Sequence, residues 1–133
     1  MWLLKTEPDA YSYDQLEREG TTRWDGVKNP AALKNIGAMK AGDRAFVYHT
    51  GKEKAVVGIV EVVTAAYPDP ESKNPKLFVV DIKAKRRLNR PMTLAEIKGL
   101  PAFEESPLVR QGRLSVVPLT AKQWRTIEEW SRG

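Results

Sequence analysis

Residues 77–88 read LFVVDIKAKRRL, and their apolar and charged side chains alternate. Neighbouring side chains of a strand point to opposite faces of its sheet. The pattern therefore predicts a long strand with one buried face and one solvated face. The apolar face would carry Phe78, Val80, Ile82, Ala84 and Leu88, and the charged face Asp81, Lys83, Lys85 and Arg87. Only Arg86 interrupts the apolar row.

Further β-rich runs lie on both sides of this stretch. Their composition predicts strands over Trp2–Thr6, 44–50, 55–63 and 114–117. Gly58 lies within the Val/Ile-rich run and indicates a bulge or a close backbone approach. Residues 67–76, YPDPESKNPK, predict a turn-rich loop.

Four helix starts are marked by capping residues. Residues 12–15, 93–96 and 120–123 have the spacing of a capping box, and an apolar pair with the spacing of a hydrophobic staple flanks each one. Asn29 precedes a proline, which is favoured in the first turn of a helix. Gly20 and Gly42 would end the first two helices. Short helices between long β runs predict an α+β domain built on a strongly curved sheet or a small barrel.

The length and the charge of the chain limit the functions that it can have. The chain has 133 residues, the size of one domain, so residues 1–133 are predicted to fold as a single unit. Apolar residues make up 41%, which supports a buried core. Lys and Arg number 22 against 17 Asp and Glu, which gives a net charge of +5 and a pI near 9.5. A small basic domain favours anionic partners, with nucleic acid foremost, although a soluble protein can also be basic without such a partner.

Several classes of protein are excluded by residue content. The chain has no Cys, which excludes disulfides, thiolate zinc sites and a Cys nucleophile. Its one His cannot build a multi-His metal site, so we expect neither a metal nor another cofactor. No apolar run approaches the ~20 residues that span a bilayer. The first residues, MWLLKTEP, lack the features of a signal peptide. We therefore expect a cytoplasmic monomer with no membrane partner.

The densest positive segment is residues 83–90, KAKRRLNR. Lys83, Lys85 and Arg87 would share one strand face and could contact phosphates, which would make binding sensitive to salt. The same residues could instead form a solvated strand face and turn that protects the edge of the sheet.

A second candidate is the segment 22–30, TRWDGVKNP. Trp24 is predicted to lie in a Gly-containing loop just before a helix, outside the strand and helix periodicities. An aromatic ring at the mouth of a pocket can stack on a base. Asn29 has donors and acceptors that could read a base edge, or it could cap the helix that follows.

Three further groups of polar residues have two interpretations each. Tyr48, His49 and Thr50 end a strand, where they could read a ligand or be structural. Ser115 could face a cavity or satisfy the backbone.

The third group is Lys5, Thr6 and Glu7, whose residue types could serve acid–base or nucleophilic chemistry, or form an ion pair. In a strand, however, Thr6 points away from the face that Lys5 and Glu7 share.

Seven blocks occur together in order: WLLKTEP (2–8), WDGVKN (24–29), MKAGD (39–43), YHT (48–50), GIVEV (58–62), YPD (67–69) and LVRQGRLSV (108–116). With these blocks the chain resembles the EVE domain family, a relative of the PUA and YTH folds, over almost its whole length. The departures are mild: Thr stands for Ser at positions 6 and 50, and Lys for Arg at 28. Residues 30–32, PAA, stand where many members of the family have a longer polar side chain, which could alter the rim of the pocket and its ligand preference.

The resemblance implies a PUA-like curved β-barrel flanked by short helices. It also implies a pocket for a flipped-out or single-stranded modified base, for example a methylated cytosine or adenine. By this analogy Trp24 stacks on the base and Asn29 bonds its edge. The residues that would line or support the pocket are Lys5, Thr6, Tyr48, His49, Thr50 and Ser115. Those expected to contact phosphates are Lys28, Lys83, Lys85, Arg87 and Arg113.

The sequence thus predicts a non-enzymatic reader of a modified base in DNA or RNA. Two alternatives remain. One is a small hydrolase acting on modified nucleosides, because the related ASCH domains include amidohydrolases that use Lys, Thr and Glu. The alternation of Lys5, Thr6 and Glu7 weakens that alternative. The other is an RNA-binding accessory domain without a preference for modification.

Overall fold

A seven-stranded mixed sheet, curled into a half-barrel, forms the centre of the computed structural model, which describes residues 1–132. The strand order is β2-β6-β4-β3-β1-β7, and β5 pairs with the start of β6. Only β1 and β3 run parallel. The strands are β1 (Trp2–Thr6), β2 (Thr21–Trp24), β3 (Arg44–His49), β4 (Ala55–Val62), β5 (Tyr67–Pro68), β6 (Phe78–Thr93) and β7 (Val116–Pro118).

Short helices flank the sheet, which confirms the predicted α+β domain. They are α1 (Tyr13–Glu19), α2 (Pro30–Ala38), α3 (Leu94–Lys98), a 3₁₀ turn (Pro101–Phe103), α4 (Pro107–Arg110) and α5 (Ala121–Arg132). None of the helices between residues 1 and 132 has the length and apolar character needed to cross a bilayer.

The predicted helix starts are confirmed, although at residues 12–15 only the Ser12 half of the capping box forms in the described chain. The Ser12 hydroxyl accepts from the Gln15 amide at the start of α1. Thr93 and Glu96 form a reciprocal capping box, and so do Thr120 and Gln123. The side chain of Asn29 accepts from the Ala32 amide, with Pro30 as the first residue of α2. These local signals place the helix starts, whereas α2 ends at Ala38, earlier than Gly42 predicted.

The strand predictions need correction in several places, including β5, which lies in the segment 67–76 that was predicted as a loop. Strand β2 was not predicted, and β6 continues beyond residue 88 to Thr93. Phe78, assigned to the buried face, is 36% exposed because it lies at the start of β6, where only the two-residue strand β5 pairs with it. Val79, beside it, is buried instead.

A register shift between β4 and β6 moves the basic side chains of β6 to two faces. Val60 pairs with Ala84 but Ile59 pairs with Arg86, so Lys85 is an extra residue in β6. Neighbouring residues of β4 point to opposite faces, and therefore Ala84 and Arg86 do so too. This bulge explains why Arg86 interrupts the apolar row.

The predicted common face of Lys83, Lys85 and Arg87 is therefore wrong. Arg87 pairs with Gly58 and lies on the face opposite to Lys83. Its guanidinium forms ion pairs with Asp14 and Glu17 of α1.

Helices α1 and α5 cover opposite faces of the sheet. On one face the ring of Tyr13 packs against Gly58, and its hydroxyl donates to the Ile59 carbonyl at 2.7 Å. Burial raises the pKa of Tyr13 to about 12, so this phenol stays a neutral donor. On the other face Trp124 of α5 stacks on Phe46, with ring centroids 3.9 Å apart. The prediction of a close backbone approach at Gly58 is confirmed.

Candidate functional site

A cleft of about 370 Å³ opens between the segment 6–11 and strand β2. Its volume lies within the range of small-ligand sites, about 300–1,000 Å³. Aromatic and polar groups from three elements converge on it. We call it the Trp24 cleft; its lining residues are Thr6, Ala10, Tyr11, Glu19, Thr22, Arg23, Trp24 and Asp25.

Trp24 ends strand β2, and the prediction that it lies in a loop outside the strands is wrong. It pairs with Val80 of β6, and the side chain is only 7% exposed and packs into the core. The ring nevertheless lines the cleft, and it stands nearly perpendicular to the Tyr11 ring, with the two centroids 6.2 Å apart. Among residues 1–132 the buried indole N–H groups without a partner are those of Trp124 and Trp130.

Tyr11 and Glu19 form a hydrogen-bonded pair inside the cleft, which the sequence analysis missed. The Tyr11 hydroxyl donates to Glu19 Oε1 at 2.5 Å. Burial raises the pKa of the Tyr11 phenol, and the bond to Glu19 raises it further. The Thr6 hydroxyl donates to the Tyr11 carbonyl at 2.8 Å and fixes the turn that carries the ring. The only sign of this pair in the sequence is that an aromatic residue, Tyr11, precedes a helix whose last residue is Glu19.

Arg23 forms the outer wall of the cleft and is held by neighbouring side chains. Its Nε donates to the Tyr67 hydroxyl at 3.3 Å, and one guanidinium nitrogen lies 3.6 Å from Glu71. The Tyr67 hydroxyl donates in turn to Asp81 at 2.5 Å, a bond that raises the pKa of Tyr67. The guanidinium is therefore partly neutralised before any ligand arrives.

A second cleft, of about 310 Å³, begins at Asn29, five residues after Trp24. We call it the Asn29 cleft. Asn29 Oδ1 caps α2, while its amide nitrogen has no hydrogen-bond partner within residues 1–132. The Asn29 cleft is lined by Asn29, Ala31, Gln111, Gly112, Arg113 and Leu114.

Lys5 and Ser115 adjoin this second cleft. Lys5 Nζ donates to the Gly112 carbonyl at 3.0 Å, and the Lys5 amide donates to the Ser115 carbonyl at 2.9 Å. Burial lowers the pKa of the Lys5 ammonium. Lys5 thus fastens the loop around Gly112 to the end of β1.

His49 is a structural residue, which corrects its assignment to the base-binding pocket. The side chain is 5% exposed, and both ring nitrogens have protein partners. Nε2 accepts from the Tyr13 amide at 3.0 Å, and Nδ1 lies 2.8 Å from Glu53 Oε1. Because Nε2 accepts, Nδ1 carries the proton and donates to Glu53. His49 therefore anchors the start of α1 and has no free nitrogen for a ligand.

Of the other predicted pocket residues, Thr6 joins Trp24 in lining the Trp24 cleft, whereas Lys5, Tyr48, Thr50 and Ser115 do not. Register places Lys5 beside Tyr48 and Thr6 beside His49, so these two pairs point to opposite faces of the sheet. Tyr48 is buried under the Lys5 ammonium, which lies 5.7 Å from its ring. The Thr50 hydroxyl donates to the Thr6 carbonyl and to the Glu7 carboxylate, each at 3.4 Å.

Lys5, Thr6 and Glu7 do not converge on a common point. The Lys5 ammonium donates to Gly112, and the Thr6 hydroxyl donates to Tyr11. The Glu7 carboxylate accepts from Thr50 and from the Asp9 amide. The arrangement lacks the nucleophile–base contact that the hydrolase alternative requires. Within residues 1–132 no three His, Cys, Asp or Glu side chains are placed to hold a metal ion.

Comparison with known proteins places this geometry in a family. A family model described as "EVE domain" matches residues 1–130. Human thymocyte nuclear protein 1 is 33% identical over 92% of this chain and 70% of its own length. The chicken (Gallus gallus) protein of the same name is 34% identical over 92% of this chain and 65% of its own length.

Solved structures share the fold. An NMR structure of Rpa0253 from Rhodopseudomonas palustris superimposes with a TM-score of 0.92 at 41% identity, covering 98% of this chain and 92% of that one. A crystal structure of human THYN1 in complex with DNA containing 5-methylcytosine gives a TM-score of 0.90 at 32% identity, covering 99% and 97%.

A more distant structure, ASCH from Zymomonas mobilis, has a TM-score of 0.60 at 10% identity and is similar in fold alone. The family match confirms the resemblance that the seven sequence blocks indicated, and the curled half-barrel confirms the expected PUA-like architecture. The chain belongs to the EVE domain family.

Proposed function

We propose that this protein is a non-enzymatic reader that binds nucleic acid carrying a modified base and holds that base in the Trp24 cleft. The proposal rests on one observation. Trp24 and Tyr11 line one cleft in a chain that is 32% identical to human THYN1, whose crystal structure contains 5-methylcytosine DNA.

The energetics of the cleft suit an extruded base. Removing a base from its stack costs a few kcal/mol. Contact with an aromatic side chain returns about 1–3 kcal/mol, and polar groups that line the cleft, such as the Glu19 carboxylate, can add hydrogen bonds to the base edge. A methyl group buried against the Ala10 methyl and the indole would contribute about 0.8 kcal/mol. That last contribution gives a modified base its advantage over the unmodified one.

The proposed function can be tested with a panel of binding measurements at one fixed salt concentration. Short labelled oligonucleotides, identical except at one position, would present cytosine, 5-methylcytosine, adenine or N6-methyladenine in DNA and RNA. We expect one methylated strand to bind about 4-fold more tightly than its unmodified match, the value of one buried methyl group. Fluorescence anisotropy measures the affinities.

Two outcomes would contradict the reader function. Equal affinity across the panel would favour a general nucleic-acid-binding domain. Release of free base or nucleoside, detected by chromatography of the same mixtures, would favour a hydrolase.

Phosphate contacts are proposed beside the Asn29 cleft. The exposed side chains of Lys28 and Arg113 have no carboxylate partner among residues 1–132. By contrast, Lys85 lies 3.8 Å from Glu61, and Arg87 is paired with two carboxylates. A cation that is already neutralised releases fewer counterions when it meets a phosphate. The unpaired cations therefore supply more of the electrostatic attraction.

The double variant Lys28→Gln/Arg113→Gln should weaken binding to every oligonucleotide. The slope of log K against log salt should fall in magnitude by about 1.4 on single strands, because each lost phosphate contact removes about 0.7. The matched control Lys85→Gln/Arg87→Gln removes the same charge and should change the slope less. If the control variant lowered the slope more than Lys28→Gln/Arg113→Gln does, the phosphate contacts would have to be assigned to β6 instead.

A further inference from the structure

We propose that Glu19 selects the class of base that the Trp24 cleft accepts, namely bases that present an exocyclic amino group, as cytosine and adenine do. The inference rests on the proposed function and deepens it. Glu19 is not among the residues that the motifs indicated, and the proposed role separates amino bases from keto bases such as thymine and uracil.

Glu19 is an oriented acceptor. It is the last residue of α1, and its carboxylate lines the cleft. The Tyr11 hydroxyl donates to Oε1 at 2.5 Å, a short bond to a charged group. An ionised carboxylate only accepts hydrogen bonds and has about four lone-pair sites, so Oε2 remains open to a ligand. Tyr11 itself stands nearly perpendicular to Trp24, at 82° between the planes, and Glu19 and Trp24 line the same cleft.

The other charged groups of the cleft are less suited to reading a base. Asp25 also lines the cleft, but among residues 1–132 its side chain makes no hydrogen bond that would fix it. Arg23 is held by Tyr67 and Glu71. Two carboxylates beside one partly neutralised guanidinium repel phosphate. The cleft therefore favours a base over the backbone of the strand.

Complementarity of donors and acceptors gives the discrimination. Cytosine offers an N4 amino donor at the position where thymine offers the O4 acceptor, and Glu is a known acceptor for that amino group. Thymine would place O4 against the carboxylate and leave two acceptors facing each other without a proton. Thymine and 5-methylcytosine carry the same methyl group, so comparing them isolates the contribution of the amino edge.

The test uses the full chain and single strands with 5-methylcytosine, thymine or cytosine at one position. The wild-type protein should prefer 5-methylcytosine to thymine by about 5- to 150-fold, the discrimination of one well-placed polar pair. Glu19→Gln keeps an oxygen for Tyr11 and gains an amide donor for O4, so this preference should fall close to one. Glu17→Gln, the same change in the same helix at a residue outside the cleft lining, should leave the preference unchanged.

The outcomes separate the two proposals. A wild-type protein that binds 5-methylcytosine more tightly than cytosine, but binds thymine equally well, would overturn the role of Glu19 and leave the reader function standing. A Glu19→Gln protein that keeps the wild-type preference would do the same. A wild-type protein that does not separate 5-methylcytosine from cytosine, while adenine and its methylated form also bind alike, would overturn the reader function itself.

Discussion

Trp24→Ala should lower the free energy of unfolding by about 3 kcal/mol, at the lower end of the range for a large aromatic residue truncated in a core. The ring is 7% exposed and belongs to the main hydrophobic cluster. The residue also lines the cleft, so water can enter the space left by the ring, which places the cost below the upper end of the range. Urea denaturation of the wild-type and variant proteins measures the difference.

The role of Trp24 in binding has to be tested with a more conservative substitution that leaves the protein folded. Trp24→Leu keeps an apolar side chain but removes the aromatic face, so affinity for the modified strand should fall by about 1–3 kcal/mol, or roughly 5- to 150-fold. Trp24→Phe should retain most of it. Trp124→Leu is the matched control, because that indole stacks on Phe46 beneath α5 and lines no part of the Trp24 cleft. A folded Trp24→Leu protein that binds like the wild type would refute the stacking role.

Gly58→Ala should be the second severe substitution. A Cβ added at Gly58 would lie 2.8 Å from Tyr13 Cδ2 and closer still to two other ring atoms. The ring cannot retreat easily, because its hydroxyl is bonded to Ile59 and its backbone amide to His49. Overpacking of this kind costs about 1–3 kcal/mol, and a rigid neighbour places the cost at the upper end. Thermal and chemical unfolding would register the loss.

Two controls make this prediction specific. Gly37→Ala lies in α2 with open space around the new methyl group, so it should stabilise the protein by about 0.4–1 kcal/mol. In a Tyr13→Ala background, Gly58→Ala should cost much less, because the two residues are in contact and their effects couple. Equal stability of the Gly58→Ala and Gly37→Ala proteins would show that the contact is unimportant.

Local signals explain what the sequence predicted of the fold. The capping pairs, such as Thr93 with Glu96, act over three residues and need no distant partner. The prediction of which β6 side chains share a face is correct only as far as Ala84. Beyond it, the bulge at Lys85 depends on how β4 pairs, which alternation within β6 cannot reveal.

The candidate site was harder to predict because its parts meet through tertiary structure. The type of residue alone indicated Trp24 as a candidate for base stacking. Its strand, β2, was not predicted because four residues are too few to show a periodic pattern. The contact between Tyr11 and Glu19 spans the whole of α1 and appears only once that helix packs beside β2. His49 looked like a ligand because nothing in the sequence shows that the Tyr13 amide needs an acceptor.

The place of β1 between β3 and β7 has a consequence for synthesis on the ribosome. A nascent chain can pair β1 with β3 as soon as both have emerged, but the other edge of β1 waits for Val116–Pro118, the last strand of the sheet. Until then Leu3 and Leu4 flank an open backbone edge, and such an edge is a template for wrong pairing between chains. Co-translational folding of this domain is therefore completed late, and crowded polysomes are where its misassembly would begin.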